Sequence, residues 1–63
     1  MTVIKINGTQ KELLPPITGR EIYQLAKEVV GFIPNKVKMA DTGDLIQNNS
    51  DPITILSGQQ FTT

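Results

Sequence analysis

The chain has 63 residues, neither cysteine nor histidine, and six basic side chains that cancel six acidic ones. That length makes one domain. The missing cysteines exclude disulfides and thiolate ligation of a metal, and the missing histidine removes the usual nitrogen ligand.

A neutral chain without a basic cluster has no electrostatic footprint for nucleic acid, so no nucleic-acid partner is expected. No apolar run exceeds two residues, and on that basis neither a membrane span nor a secretory signal is expected. Met1 leads at once into a strand pattern. It reads as a true N-terminus without a targeting segment, and a cytoplasmic location is the expectation. A domain this small buries only about 60% of its unfolded surface. Its stability therefore has to come from one helix layer packed on one sheet layer.

The segment Thr2-Val3-Ile4-Lys5-Ile6 is β-branched apart from Lys5, with Ile4 and Ile6 on one face. Asn7-Gly8 supplies two residues that tolerate positive φ, as a type I′ hairpin turn demands. The following stretch, Thr9 to Leu14, is polar until Leu13 and reads as a half-exposed edge strand. Pro15-Pro16 stops it, because proline cannot donate to a ladder.

Thr18-Gly19-Arg20-Glu21 fits a capping box: the Thr18 hydroxyl accepts from the Glu21 amide, and the Glu21 carboxylate reaches back to the Thr18 amide. Ile17 and Ile22 flank the cap as a hydrophobic staple. A helix is expected from Thr18 to Val30. Ile22, Leu25, Ala26 and Val29 form its apolar stripe; Arg20, Gln24, Lys27 and Glu28 form its wet side. Gly31 is a natural stop, and Pro34 blocks a restart.

Lys36 to Ala40 alternates again, with Val37 and Met39 inward. Asp41 to Asp44 is a turn, Leu45-Ile46 a minimal strand, and Gln47 to Pro52 a polar loop. Ile53 to Leu56 reads as a strand with Ile53 and Ile55 inward. Ser57-Gly58 turns the chain, and Phe61 returns to the core or covers its edge. The expected core is Ile4, Ile6, Leu13, Ile17, Ile22, Leu25, Ala26, Val29, Val37, Met39, Leu45, Ile53 and Ile55, with Phe61 as a further candidate.

Hairpin, helix, then more strands is the order of an α+β, ubiquitin-like β-grasp domain, in which a four- to five-stranded mixed sheet packs on one helix. The first strand and Ile53 to Leu56 are apolar on both faces, through Val3 and Leu56. They are expected to be the central parallel pair, with the helix in a right-handed crossover.

Little in the chain points to catalysis. Acid–base chemistry near neutrality commonly uses histidine or a perturbed carboxylate pair, and the six carboxylates fall mostly in turns or on the helix surface. Asp41 and Asp44 flank a turn and could hold a cation; turn stabilisation is the simpler reading. Ser50 and Ser57 have no evident base, and Gly8 and Gly43 form no phosphate-binding pattern. The Lys36/Lys38 pair suits an acidic partner or simply solvates a strand face. Tyr23 is either an interface anchor or, as the simpler reading, lines the core edge with its hydroxyl wet. Neither an enzyme nor a cofactor is expected.

Three stretches carry a family resemblance. Val3-Ile4-Lys5-Ile6-Asn7-Gly8, Pro16-Ile17-Thr18-Gly19-Arg20-Glu21-Ile22 and Gly58-Gln59-Gln60-Phe61-Thr62-Thr63 resemble the bacterial multiubiquitin-type ubiquitin-like domains. The resemblance covers essentially the whole chain, and its "ITGREI" stretch is the most specific part. It implies a small protein modifier, or a domain of a modifier precursor, working with ubiquitin-pathway-like activating and conjugating enzymes and a deubiquitinase-like protease in antiviral defence. In a conjugated member the C-terminal carboxylate is adenylated, passed as a thioester and joined to an amine of a target protein.

The resemblance assigns the tail-attachment region to Phe61, Thr62 and Thr63. It assigns partner contacts to an exposed sheet face expected to carry Val3, Lys5, Lys36, Lys38, Thr54 and Leu56. Lys5, Lys11, Lys27, Lys36 and Lys38 become acceptors if chains form, and ordinary solubility is their simpler role.

The chain departs from the modifier pattern in two ways. It reads Phe61-Thr62-Thr63 where modifiers carry a diglycine tail, and two β-branched residues are stiff in a narrow channel. Its outer sheet face is mixed and basic rather than apolar. Three rival readings follow. One is a non-conjugated β-grasp interaction module, for which the edge strand Thr9 to Leu14 suits strand addition. Another is a sulfur carrier, which needs a terminal glycine. The last is an RNA-contacting domain, disfavoured by the neutral charge.

Overall fold

The computed structural model describes residues 1–63. Strands β1 (Thr2–Ile6) and β2 (Thr9–Leu13) form an antiparallel hairpin, with Ile4 opposite Lys11 and Ile6 opposite Thr9. Asn7 and Gly8 make its turn at φ 51° and 85°, the positive-φ pair that matches the right-handed twist of the flanking strands.

A two-residue strand, β3 (Ile17–Thr18), leads into helix α1 (Gly19–Val30). The Thr18 hydroxyl caps the helix by accepting from the Glu21 amide at 3.3 Å. Only this half of the expected capping box forms. At the other end Gly31 takes the left-handed conformation, φ 90°, and its amide donates to the Lys27 carbonyl.

The second half of the chain supplies β4 (Val37–Met39), β5 (Leu45–Ile46), β6 (Pro52–Ile53) and β7 (Gln60–Thr62). Five strands make one mixed sheet in the order β2-β1-β7-β4-β5, and β3 pairs with β6 in a separate two-stranded ladder. The β1–β7 pair is parallel and the other pairs are antiparallel. One helix on a five-stranded mixed sheet, with the first and last strands parallel at its centre, is the α+β, β-grasp arrangement expected from the element order.

The central pair corrects the sequence reading. β1 lies beside β7, not beside Ile53 to Leu56, and its register sets Lys5 against Gln60 and Ile6 against Phe61. Ile53 to Leu56 is not one strand. Ile53 closes the small ladder against Ile17, Ile55 is buried, and Leu56 is 75% exposed. Its apolar residues on both faces suit a central strand, but Ser57 and Gly58 take the place beside β1. Val3 donates to the Ser57 hydroxyl at 3.1 Å, and Gly58 donates to the Val3 carbonyl at 2.6 Å.

The core gathers Ile4, Ile6, Leu13, Ile17, Ile22, Tyr23, Ala26, Val37, Ile46, Ile55 and Phe61, with Leu25, Val29, Met39 and Ile53 packed against its rim. Phe61 resolves its open alternative by being 1% exposed. Leu45, expected inside, is half exposed, and Ile46 is buried in its place. The β4–β5 register explains the exchange. Val37 points inward and faces Ile46, so Leu45, opposite Lys38, must point outward.

Tyr23 is a second correction. Its ring is buried in the core and its hydroxyl is not wet. The hydroxyl accepts from the Val37 amide at 3.1 Å and donates to the Ile46 carbonyl at 2.7 Å. Val37 and Ile46 face each other across β4 and β5, so the side chain completes that pairing through its own oxygen. The sequence places Tyr23 on the helix flank but is silent about the strand pair within its reach.

Candidate functional site

The candidate residues read from the sequence fall on the sheet face away from α1 and at the C-terminal end of β7. With Ile4 and Ile6 directed to the core, alternation sends Val3 and Lys5 to the opposite face. Glu12 stands beside Val3, and Gln10 and Gln60 flank Lys5. Further across, Lys38 sits between Thr62 and Leu45. Lys5, Gln10, Glu12, Gln60 and Thr62 are exposed, while Val3 and Lys38 are half-buried.

The face is therefore polar. Its apolar members, Val3 and Leu45, lie on β1 and β5, with β7 and β4 between them, and form no contiguous patch. Of the expected contact residues, Val3, Lys5 and Lys38 share this face, and Lys36 is exposed just before β4. Thr54 and Leu56 belong to no strand of this sheet; they follow β6 of the other ladder. Leu45, expected in the core, is instead the second apolar residue of this face.

At the C-terminal end the three expected tail residues have different roles. Phe61 is a core anchor between Ile6 and Met39. Thr62 is exposed opposite Lys38. Thr63 is also exposed, yet it is held. Its amide donates to Asn7 Oδ1 at 3.2 Å, and its hydroxyl accepts from Asn7 Nδ2 at 2.9 Å. The two residues are 56 apart in sequence, so no local pattern signals the contact.

The β2 strand is the sheet's outer strand on one side, and its free edge is open. Lys11 of β2 pairs with Glu28 of α1 at 3.8 Å. Lys11 is half-buried but Glu28 is exposed, so water screens the pair and it contributes at most about 1 kcal/mol. Beside it a shallow groove is lined by Leu13, Thr18, Arg20, Gln24 and Leu25.

On the opposite side, the Asp41 carboxylate accepts from the Thr42 amide at 2.9 Å and from Gln59 Nε2 at 3.0 Å. The Gln59 bond is the main cause that holds Asp41 below its ordinary pKa of 3.8. The Asp41 carboxylate thus serves the turn, as the simpler sequence reading has it. No group of three or more acidic side chains comes together to hold a metal ion. No helix is long and apolar enough to cross a membrane.

No protein-family model, no curated protein and no solved structure matches this chain.

Proposed function

We propose that the chain is a ubiquitin-like protein modifier, or a domain of a modifier precursor, handled by activating and conjugating enzymes and trimmed by a deubiquitinase-like protease. The observation that carries the reading is the position of β7. The last strand is central in the sheet, parallel to β1, and Phe61 fixes it in the core. The chain then reaches the surface at Thr62 and Thr63, both exposed. A modifier needs this arrangement: a rigid body from whose last strand the chain emerges at the surface. The three stretches that resemble bacterial multiubiquitin-type domains support the same reading, which extends to their defence systems.

A second reading is favoured by the open edge of β2. An extended partner segment adding to Thr9–Leu13 would gain main-chain hydrogen bonds, and the adjoining groove beside Leu13 and Leu25 would select its side chains. The polar outer face favours a dedicated partner over a receptor for an apolar patch.

The deciding experiment is mass spectrometry on N-terminally tagged protein recovered from its native host with neighbouring genes intact. A modifier gives peptides in which the C-terminal acyl carbon is bonded to an amine nitrogen of another protein. Reversible complexes alone, without adducts, would sink conjugation and leave the binding module.

A further inference from the structure

We propose that Asn7 is a positioning residue that latches Thr63 to the sheet and thereby keeps residues 61–63 out of reach of enzymes that need an extended, unpaired chain. The inference rests on the modifier reading for its biological use, but the latch itself follows from hydrogen bonding.

The β1–β7 ladder proceeds by regular steps. Lys5 donates to the Gln59 carbonyl at 3.0 Å, and Asn7 donates to the Phe61 carbonyl at 2.9 Å. In a continuing parallel ladder the next bond would run from the Thr63 amide to the Asn7 backbone carbonyl. The ladder cannot continue, because Asn7 has φ 51° and begins the turn into β2. The Asn7 side-chain oxygen takes the bond instead, at 3.2 Å. The side chain thus adds one step to the ladder after the backbone has turned away.

The amide orientation is fixed by chemistry. A backbone N–H can only donate, so the Asn7 atom facing it is the oxygen. The nitrogen is then directed at the Thr63 hydroxyl, 2.9 Å away. The turn itself does not require these bonds, since glycine adopts positive φ without strain. The paired donor and acceptor of asparagine therefore serve Thr63. The bonds use the amide nitrogen and side chain of Thr63, so they form whether or not further residues follow it.

Proteases and acyl-activating enzymes take their substrates extended, with free main-chain groups. With the latch closed, such an enzyme finds free chain only beyond the Thr63 amide. Phe61 and Thr62 lie in β7 and are already paired. Opening the latch is then a step that precedes any cut or transfer within residues 61–63.

Two measurements on the purified chain test this without any conjugating enzyme. In amide hydrogen exchange the Thr63 N–H is expected to exchange about tenfold more slowly than in an unstructured chain, as a hydrogen bond of ordinary net strength gives. Asn7→Gly, which retains the turn, should remove that protection while the Phe61 amide keeps its own. Thr63→Val, which loses only the hydroxyl bond, should fall between. A nonspecific carboxypeptidase should release Thr63 several-fold faster from Asn7→Gly than from the unaltered chain, with the unfolding midpoint little changed. An unprotected Thr63 amide in the unaltered chain, or equal protection and equal trimming in Asn7→Gly, would overturn the latch. Because neither readout involves a covalent adduct, a protected Thr63 in a chain that forms none would retire the modifier reading and leave the latch.

Discussion

The two halves of the chain are organised by different means. From Thr2 to Gly31 the main elements are long, two five-residue strands and a twelve-residue helix, with the two-residue β3 as the one short strand. Their limits are set by residues within them: Asn7-Gly8 at the turn, Thr18 at the helix start, Gly31 at its end. From Phe32 onward the four strands have only two or three residues each. Strands that short are not stable by themselves, and each is fastened to the first half. β7 lies on β1, β6 lies on β3, and the β4–β5 pair is bridged by the Tyr23 hydroxyl. The first half carries its own instructions; the second half is arranged against a template. Substitutions at the contacts between the halves should therefore cost more than substitutions at local signals.

Gly19 should give the largest effect. It is buried at the start of α1, and a Cβ there would overlap the Gln47 carbonyl oxygen, which is backbone and cannot swing aside. Next to it, the Arg20 amide donates to the Asn49 carbonyl at 2.9 Å. Gly19→Ala has to push the 46–49 segment off the helix, at a cost of about 3 kcal/mol, the upper part of the range for overpacking. A chain of this length has roughly 3–9 kcal/mol of stability in all. The expected result is a melting midpoint lowered by more than about 10 °C. An unchanged midpoint would mean that the second half does not dock on Gly19.

Tyr23→Phe comes next and is more selective. It keeps the buried ring but leaves the Val37 amide and the Ile46 carbonyl without their partner. Each was satisfied by a buried hydroxyl, and stranding them costs about 1–3 kcal/mol. Amide exchange should quicken first in β4 and β5 while the β1–β2 hairpin keeps its protection until global unfolding. Uniform loss of protection across both halves would break the distinction between them.

The same division governs how much of the molecule can be read from its sequence. Turn, cap and stop are legible because a few adjacent residues specify them, and Val3, Lys5 and Lys38 are legible as one face because alternation is local. Leu45 and Ile46 exchange places because a two-residue strand takes its inward face from its partner's register, which adjacent residues do not encode. Ile53 to Leu56 has the composition of a central strand, and only competition with Ser57 through Thr62 for the place beside β1 decides otherwise. Thr54 and Leu56 were expected on the outer face for the same reason. The Asn7–Thr63 contact joins the two ends of the chain, beyond any pattern short of the full fold.

Thr18→Ala sharpens the comparison from the other side. It removes a local signal of the first half, the hydroxyl that accepts from the Glu21 amide at 3.3 Å. The loss of an N-cap costs about 1 kcal/mol, which lowers the melting midpoint by roughly 4–8 °C in a domain of this size. Serine at the same position should restore most of it, because the hydroxyl and not the methyl makes the bond. A cost as large as that of Gly19→Ala would mean that the local cap matters as much as the docking of the second half.

The smallest expected effect lies within the second half, between the β4–β5 turn and the segment that leads into β7. The bond from Gln59 to the Asp41 carboxylate favours the ionised form and holds its pKa below 3.8. The sign follows from linkage: the unfolded chain takes up this proton at a higher pH than the folded one. The bond's contribution is therefore present above the ordinary carboxylate range and is lost as pH falls through the lowered value. Asp41 is fully exposed, so water and salt screen the interaction and the melt should register almost nothing. Gln59 reports it instead. Its side-chain amide resonances should hold steady from neutrality through the ordinary carboxylate range and move only below it, as Asp41 protonates. In Asp41→Asn, which cannot ionise, the same resonances should lose that acid step. If they moved identically in both proteins, the titrating group would be another carboxylate and the Asp41–Gln59 tie would have no part in holding the turn against β7.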